Sequence, residues 1–159
     1  MLIIVTGVSG TGKTTIGKGL SNHFNLPFFD ADHFHPLENI EKMSNGFPLD
    51  DEDRLPWLQA LANQLEESEK SGGAVLACSA LKQSYRDILQ VNDQVKWIHL
   101  EGDRDLIWER MLARKNHYMK ASMLDSQIAT WEEPDFGLKL SIANTPEKMI
   151  EEAIAYIHD

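Results

Sequence analysis

Gly7, Gly12, Lys13 and Thr14 stand in the spacing G-x-x-x-x-G-K-T within the stretch GVSGTGKT. Those residue types in that order suit a nucleoside triphosphate. Glycines let backbone N–H groups converge on a phosphate with no Cβ in the way, and a helix starting there presents its positive end to the anion. Lys13 brings a point charge to the β and γ oxygens, and the Thr14 hydroxyl is a ligand for Mg²⁺. The alternative, a glycine turn joining strand to helix, is weakened by context. A buried-strand pattern precedes the motif and helical spacing follows it.

A phosphoryl donor needs an acceptor. The segment FFDADHFH places Asp30 and Asp32 two residues apart, on one side of an extended chain at the edge where ligands bind in parallel sheets. Transfer to an alcohol calls for a carboxylate at the hydroxyl and another near the magnesium shell, so we assign Asp32 to the hydroxyl and Asp30 to the metal. Both acids could instead cap the following helical turn. Arg54, among Asp50, Asp51, Glu52 and Asp53, is either an ion pair or the fork that holds an acidic substrate. Lys82 and Arg86, four apart at the start of a helix, are expected to face one cavity and to suit a carboxylate or phosphate. The tract RDLIWERMLARKNHYMK reverses the local sign of charge. Arg110, Arg114, Lys115 and His117 are expected to close over the triphosphate as a lid, while Met111 and Leu112 belong to the packed face.

These groups need a scaffold that brings distant segments to one edge. Apolar runs at residues 2–6, 27–31, 74–80, 95–102 and 138–144 alternate with helical spacing, as at Ile16, Leu20 and Phe24, or Leu58, Leu61, Ala62 and Leu65. Thr145 is placed to cap a last helix with Pro146 at its first position. Such alternation implies right-handed crossovers and a parallel sheet covered on both faces, an α/β/α sandwich. Residues 35–57, punctuated by Pro36, Gly46, Pro48 and Pro56, read as an inserted helical segment on the substrate side, and residues 110–134 as the lid region. The 159 residues make one domain.

Net charge of −10 and a pI near 5.0 disfavour a general nucleic-acid binder. No apolar stretch reaches membrane-spanning length and no basic leader opens the chain, so the expectation is a soluble, cytoplasmic protein. The single cysteine, Cys78, excludes an internal disulfide and reads as a small apolar residue in a buried strand. No D-x-x-G or N-K-x-D occurs, which disfavours a GTPase switch. A kinase for a small hydroxy acid and a non-catalytic ATP-binding module remain open on these residues alone.

The blocks GVSGTGKT, DADHFHPLENIEKMSNGFPLDDEDRLPWL, CSALKQSYRD and SQIATWEEP resemble the short gluconate kinases, a P-loop family related to nucleoside monophosphate and shikimate kinases. The resemblance runs from residue 3 to about residue 134. It implies ATP-dependent phosphorylation of D-gluconate at its 6-hydroxyl, a five-stranded parallel sheet with a small helical lid, and a homodimer. Carried over by position, Gly7, Val8, Ser9, Gly10, Thr11, Gly12, Lys13, Thr14 and Thr15 hold ATP and Mg²⁺, and Asp32 activates the hydroxyl. His35, Arg54, Lys82 and Arg86 hold the sugar acid, Arg110 and Arg114 belong to the lid, and the turn from Asn144 to Pro146 touches adenine. Two positions depart from the family pattern. Asn116 stands where the lid usually has glycine, and Trp131 where leucine is usual.

Overall fold

The computed structural model describes residues 1–113 and 121–159. Strand β1 (Leu2–Thr6) is buried at every position, as a run of apolar residues with no polar alternation requires of a strand covered on both faces. It lies at the centre of a five-stranded sheet of order β2-β3-β1-β4-β5, with β2 Phe28–Asp30, β3 Ala74–Ala77, β4 Val95–Glu101 and β5 Leu138–Ser141. Every pairing is parallel. The α/β architecture and strand count expected from the apolar runs are therefore present.

Helix α1 (Lys13–Phe24) joins β1 to the edge strand β2, while α3 (Asp51–Lys70) and α4 (Gln83–Leu89) serve connections running the other way across the sheet. Right-handed crossovers then place α1 on one face and α3 and α4 on the other. Helix α7 (Pro146–His158) packs beside α1, and α3 against α4. Leu58, Leu61 and Leu65 are buried in α3 as their spacing requires, and in α7 the buried face is Met149, Ala153 and Ile157, with Ile150 and Ile154 half-buried beside it. Thr145 caps α7 by accepting from the Lys148 N–H. The core is continuous, from Ile3, Ile4 and Leu20 through Leu61 and Leu76 to Ile98 and Leu140.

The segment at 35–57, expected as an inserted helical segment on the substrate side, runs straight into the long helix α3. A 3₁₀ turn (Ala31–Phe34) leads to α2 (Leu37–Ser44), and α3 begins at Asp51. The cause is a capping box: the Asp50 carboxylate accepts from Asp53 N–H at 2.7 Å and the Asp53 carboxylate from Asp50 N–H at 3.0 Å. Pro56 is then interior to α3. Its missing N–H falls on the exposed face, where water can serve the Glu52 carbonyl.

Helices α5 (Arg104–Ala113) and α6 (Ala121–Thr130) pack on each other and flank residues 114–120. Met111 is buried as expected, but Leu112 is 68% exposed. Ile107 and Met111 are one turn apart and define the covered face of α5, and the next residue is rotated by about 100° away from it. Among the described residues, no helix is long and apolar enough to cross a membrane.

Candidate active site

The C-terminal ends of β1, β2 and β3 open onto one cavity of about 520 Å³. The phosphate loop walls one end through Ser9, Gly10, Gly12, Lys13, Thr14 and Thr15; Asp30, Asp32, His35 and Arg54 line the other, and Arg110 reaches it from α5. Residues separated by a hundred positions in the chain thus converge on a space large enough for two small substrates.

The loop is built for an anion. Gly7 has φ +151°, and a Cβ there would lie 2.6 Å from Thr11 Oγ1 and 2.9 Å from the Leu100 carbonyl. Gly12 caps α1 in the left-handed region at φ +94°, offers no side chain to the helix start, and no acid occupies the first turn. The first N–H groups of α1 therefore point outward. Thr11 is buried and donates to the Val8 carbonyl at 2.8 Å, which holds the loop's curvature. Lys13 Nζ donates to the Gly7 and Val8 carbonyls at 3.0 and 3.1 Å. Gln127 of α6 accepts from Ser9 N–H at 2.8 Å, so one loop donor is met from α6.

Asp30 and Asp32 both line the cavity, though by different means than an extended strand. Asp30 ends β2, and its carboxylate accepts from Asp32 N–H at 3.0 Å, capping the turn that carries Asp32. Asp32 looks into the open cleft, yet the protein crowding its carboxyl raises its pKa; Lys13 opposes that rise and Asp30 adds to it. His35 stacks on Trp57 with ring centroids 4.2 Å apart. Burial first, and Arg54 second, lower its pKa to about 4, so the ring is neutral at ordinary pH. Three of the four acids around Arg54 are engaged elsewhere. Asp50 and Asp53 cap α3, Asp53 also pairs with Lys42 at 2.6 Å, and Asp51 pairs with Lys82 at 3.0 Å. Arg54 Nη1 donates to the Tyr85 hydroxyl at 2.8 Å, and among the described residues it makes no ion pair. Of the two readings of Arg54, the ion pair is not the one formed among the described residues, and the guanidinium lines the cavity.

Lys82 and Arg86 do not share a face toward this cavity. Lys82 is the extended residue before α4, at φ −112° and ψ 153°, so helical i, i+4 geometry does not apply to it. Its ammonium turns to Asp51 instead. Arg86 is 1% exposed and donates to the carbonyls of Ala80, Leu81 and Glu132 at 2.9, 3.1 and 2.6 Å. Its guanidinium lies 4.8 Å from the ring of Trp131, which gives the departure from leucine a structural role. Ala80, one of the carbonyls it holds, has φ +40°, rare for a residue with a Cβ. Arg86 thus bolts the loop after β3 to the exit of α6. Arg114, Lys115, Asn116 and His117 lie outside the described residues.

Gln127, Trp57 and Tyr85 contribute to the site without having been singled out in the sequence. None has a spacing signature, because each acts through a contact across more than twenty residues. Among the described residues no group of three or more His, Cys, Asp or Glu forms a metal cluster. The donors that are present, the Thr14 hydroxyl and the two aspartates beside the phosphate loop, suit magnesium, which keeps most of its waters and takes few protein ligands.

Comparison with known proteins agrees with this geometry. A family model described as Shikimate kinase matches residues 9–136. The gluconokinase of Gluconobacter oxydans is 42% identical, with 97% of this chain and 89% of that one covered. The crystal structure of a gluconokinase from Sinorhizobium meliloti superimposes with a TM-score of 0.89 at 38% identity, covering 98% and 90% of the two chains. An unliganded sugar kinase from Janibacter superimposes with a TM-score of 0.92 at 44% identity, covering 99% and 94%. A chain this similar to those relatives, over nearly its whole length, belongs to the shikimate kinase family and, within it, to the gluconokinases.

Proposed function

We propose that the protein transfers the γ-phosphoryl group of ATP to the 6-hydroxyl of D-gluconate, giving 6-phospho-D-gluconate and ADP. The observation that carries this reading is the single cavity with a phosphate loop at one end and Asp32, His35 and Arg54 at the other. The loop from Gly7 to Thr15 cradles the triphosphate through its N–H groups, and Lys13 exchanges its two loop carbonyls for phosphate oxygens. Thr14 and Asp30 would hold Mg²⁺. Bound there, magnesium shields the phosphate charge against the approach of an electron-rich oxygen.

Asp32 accepts the proton of the 6-hydroxyl as that oxygen attacks. Its raised pKa makes it a stronger base than an ordinary aspartate. Arg54 takes the carboxylate at the far end of the substrate by a charge-assisted, forked contact. Neutral His35, held flat on Trp57, offers hydrogen bonds to substrate hydroxyls without adding a second charge. Lys82 and Arg86 support this end from behind rather than touching the sugar acid. Arg110, with Arg114, closes over the transferring group from the lid. Adenine rests against the turn from Asn144 to Pro146. Likeness to the gluconokinases extends the proposal to a cytoplasmic homodimer.

A coupled ADP-release assay with Mg-ATP and a panel of D-gluconate, other aldonates, shikimate and nucleoside monophosphates tests the reading. Turnover restricted to gluconate, with the 6-phosphate as product, is expected. Turnover with a different acid alone would overturn the substrate, and no acceptor-dependent turnover at all would overturn the kinase reading.

A further inference from the structure

Arg54 and Asp51 are three residues apart on α3, so their side chains rise on neighbouring positions of one helix face. An aspartate so placed is the natural partner of the arginine, and a closed Asp51–Arg54 pair would compete with any anionic ligand for the guanidinium. The structure shows another arrangement. Tyr85, from α4 on the other side of the gap, is 3% exposed and inserts its hydroxyl between them. The hydroxyl donates to Asp51 Oδ1 and accepts from Arg54 Nη1 at 2.8 Å. Lys82 Nζ then holds both Asp51 oxygens, at 3.0 and 3.2 Å. Lys82, Asp51, Tyr85 and Arg54 form one chain in which cation and anion alternate about a neutral hydroxyl.

We propose that Tyr85 is a positioning residue for acceptor binding: it aims Arg54 into the cavity and, with Lys82, keeps Asp51 from neutralising it. This rests on the reading of Arg54 as the group that meets the substrate carboxylate. Arg54 lines the cavity, whereas Tyr85, Asp51 and Lys82 do not, so these three act only through Arg54. The hydroxyl suits the task because it serves both neighbours at once. Its pKa is raised, by burial first and by the bond to Asp51 second, so it keeps the proton it donates. Both cations also lie over the tyrosine ring, with Arg54 Cζ at 5.4 Å and Lys82 Nζ at 5.8 Å from its centroid. The two cations are thus linked through the Tyr85 hydroxyl and Asp51. Phenylalanine in place of Tyr85 would keep the ring and remove the link.

The test is steady-state kinetics on the whole protein for wild type, Tyr85→Phe, Asp51→Asn and the double variant, with thermal unfolding of each. Tyr85→Phe is expected to raise KM for D-gluconate by roughly tenfold or more, as loss of a hydrogen bond to a charged group implies, with much smaller changes in kcat and in KM for ATP. Adding Asp51→Asn to Tyr85→Phe should restore most of the loss, because the competing carboxylate is gone. A merely structural tyrosine would show no such rescue. An unchanged gluconate KM in folded Tyr85→Phe, or a double variant no better than the single one, overturns the proposal. Should Tyr85→Phe fail to fold, Lys82→Met releases Asp51 from the half-exposed end of the chain; a rise in gluconate KM that Asp51→Asn cancels is expected, and no rise overturns the proposal. Wild-type silence toward D-gluconate removes the substrate reading instead, and the variants are then compared on the acid that the wild type accepts.

Discussion

The imidazole of His35 lies 4.2 Å from the indole of Trp57 at an interplanar angle of 13°. Both rings are anchored: Trp57 Nε1 donates to the Ala31 carbonyl at 2.7 Å, and Asn39 Nδ2 donates to His35 Nδ1 at 3.2 Å. The same Asn39 nitrogen donates to the Asp53 carbonyl at 2.9 Å, which sets the orientation of the amide and makes Nδ1 the acceptor. A protonated His35 would lose that bond while standing near Arg54.

Stability should therefore fall with acid in a defined window. His35 and the fully buried His99, hydrogen-bonded to Thr6, both have pKa lowered from 6.5 to about 4, by burial first and a nearby arginine second. In the unfolded chain they take up protons below pH 6.5 that the folded protein refuses until about 4, so stability is full above that range and declines through it. The raised carboxyls of Asp32 and Glu101 act oppositely and blunt the acid end. Urea unfolding across this range should show the decline, and His35→Gln should make it shallower. A flat profile would mean that the two rings take up protons at the same pH folded as unfolded.

Asp32→Asn should lower turnover by roughly 10²- to 10⁴-fold while ATP affinity is kept, since the amide cannot accept the proton. In the native enzyme the acid limb of kcat/KM should lie above the usual aspartate range, because the pKa of Asp32 is raised. Turnover that survives the substitution would remove Asp32 as the base.

Arg86→Met separates bolt from ligand. A buried cation giving hydrogen bonds to three carbonyls is expected to cost about 3 kcal/mol when removed, with the loss read in unfolding rather than in gluconate KM. A raised KM at unchanged stability would return Arg86 to the substrate site.

Gly7→Ala should abolish tight ATP binding and cost about 2 kcal/mol of stability or more, since the new methyl meets Thr11 and the Leu100 carbonyl at a strained φ. Calorimetric titration with an ATP analogue would check it. Undiminished affinity would show that the loop can shift.

Much of this was legible in the residues themselves, for reasons that are local. Strand β1 is apolar from Leu2 to Val5, α7 carries a threonine cap and a proline start, and the phosphate loop needs particular residues at fixed spacing. What escaped depends on contacts between distant segments. Lys82 and Arg86 are four apart, but the helix begins after Lys82, and a one-residue shift in a cap separates a pair that spacing alone would join. The capping box at Asp50 and Asp53 was visible only as a cluster of acids, so the start of α3 was missed and the acids appeared to surround Arg54. Tyr85 and Gln127 matter through partners 31 and 118 residues away.

Cys78, at the floor of the cavity just beyond β3, is buried, and its thiol is pushed up to about 12, chiefly by that burial. As the only sulfhydryl in the chain, and one held in its unreactive form, it should leave the native protein nearly silent to thiol-directed reagents, which a thiol titration of the folded protein would check. An engineered cysteine on the surface, for instance at exposed Leu112 of α5, would then be the single reactive handle for a fluorophore or spin label. The protein is in effect a cysteine-free background for spectroscopy without a mutation having been made.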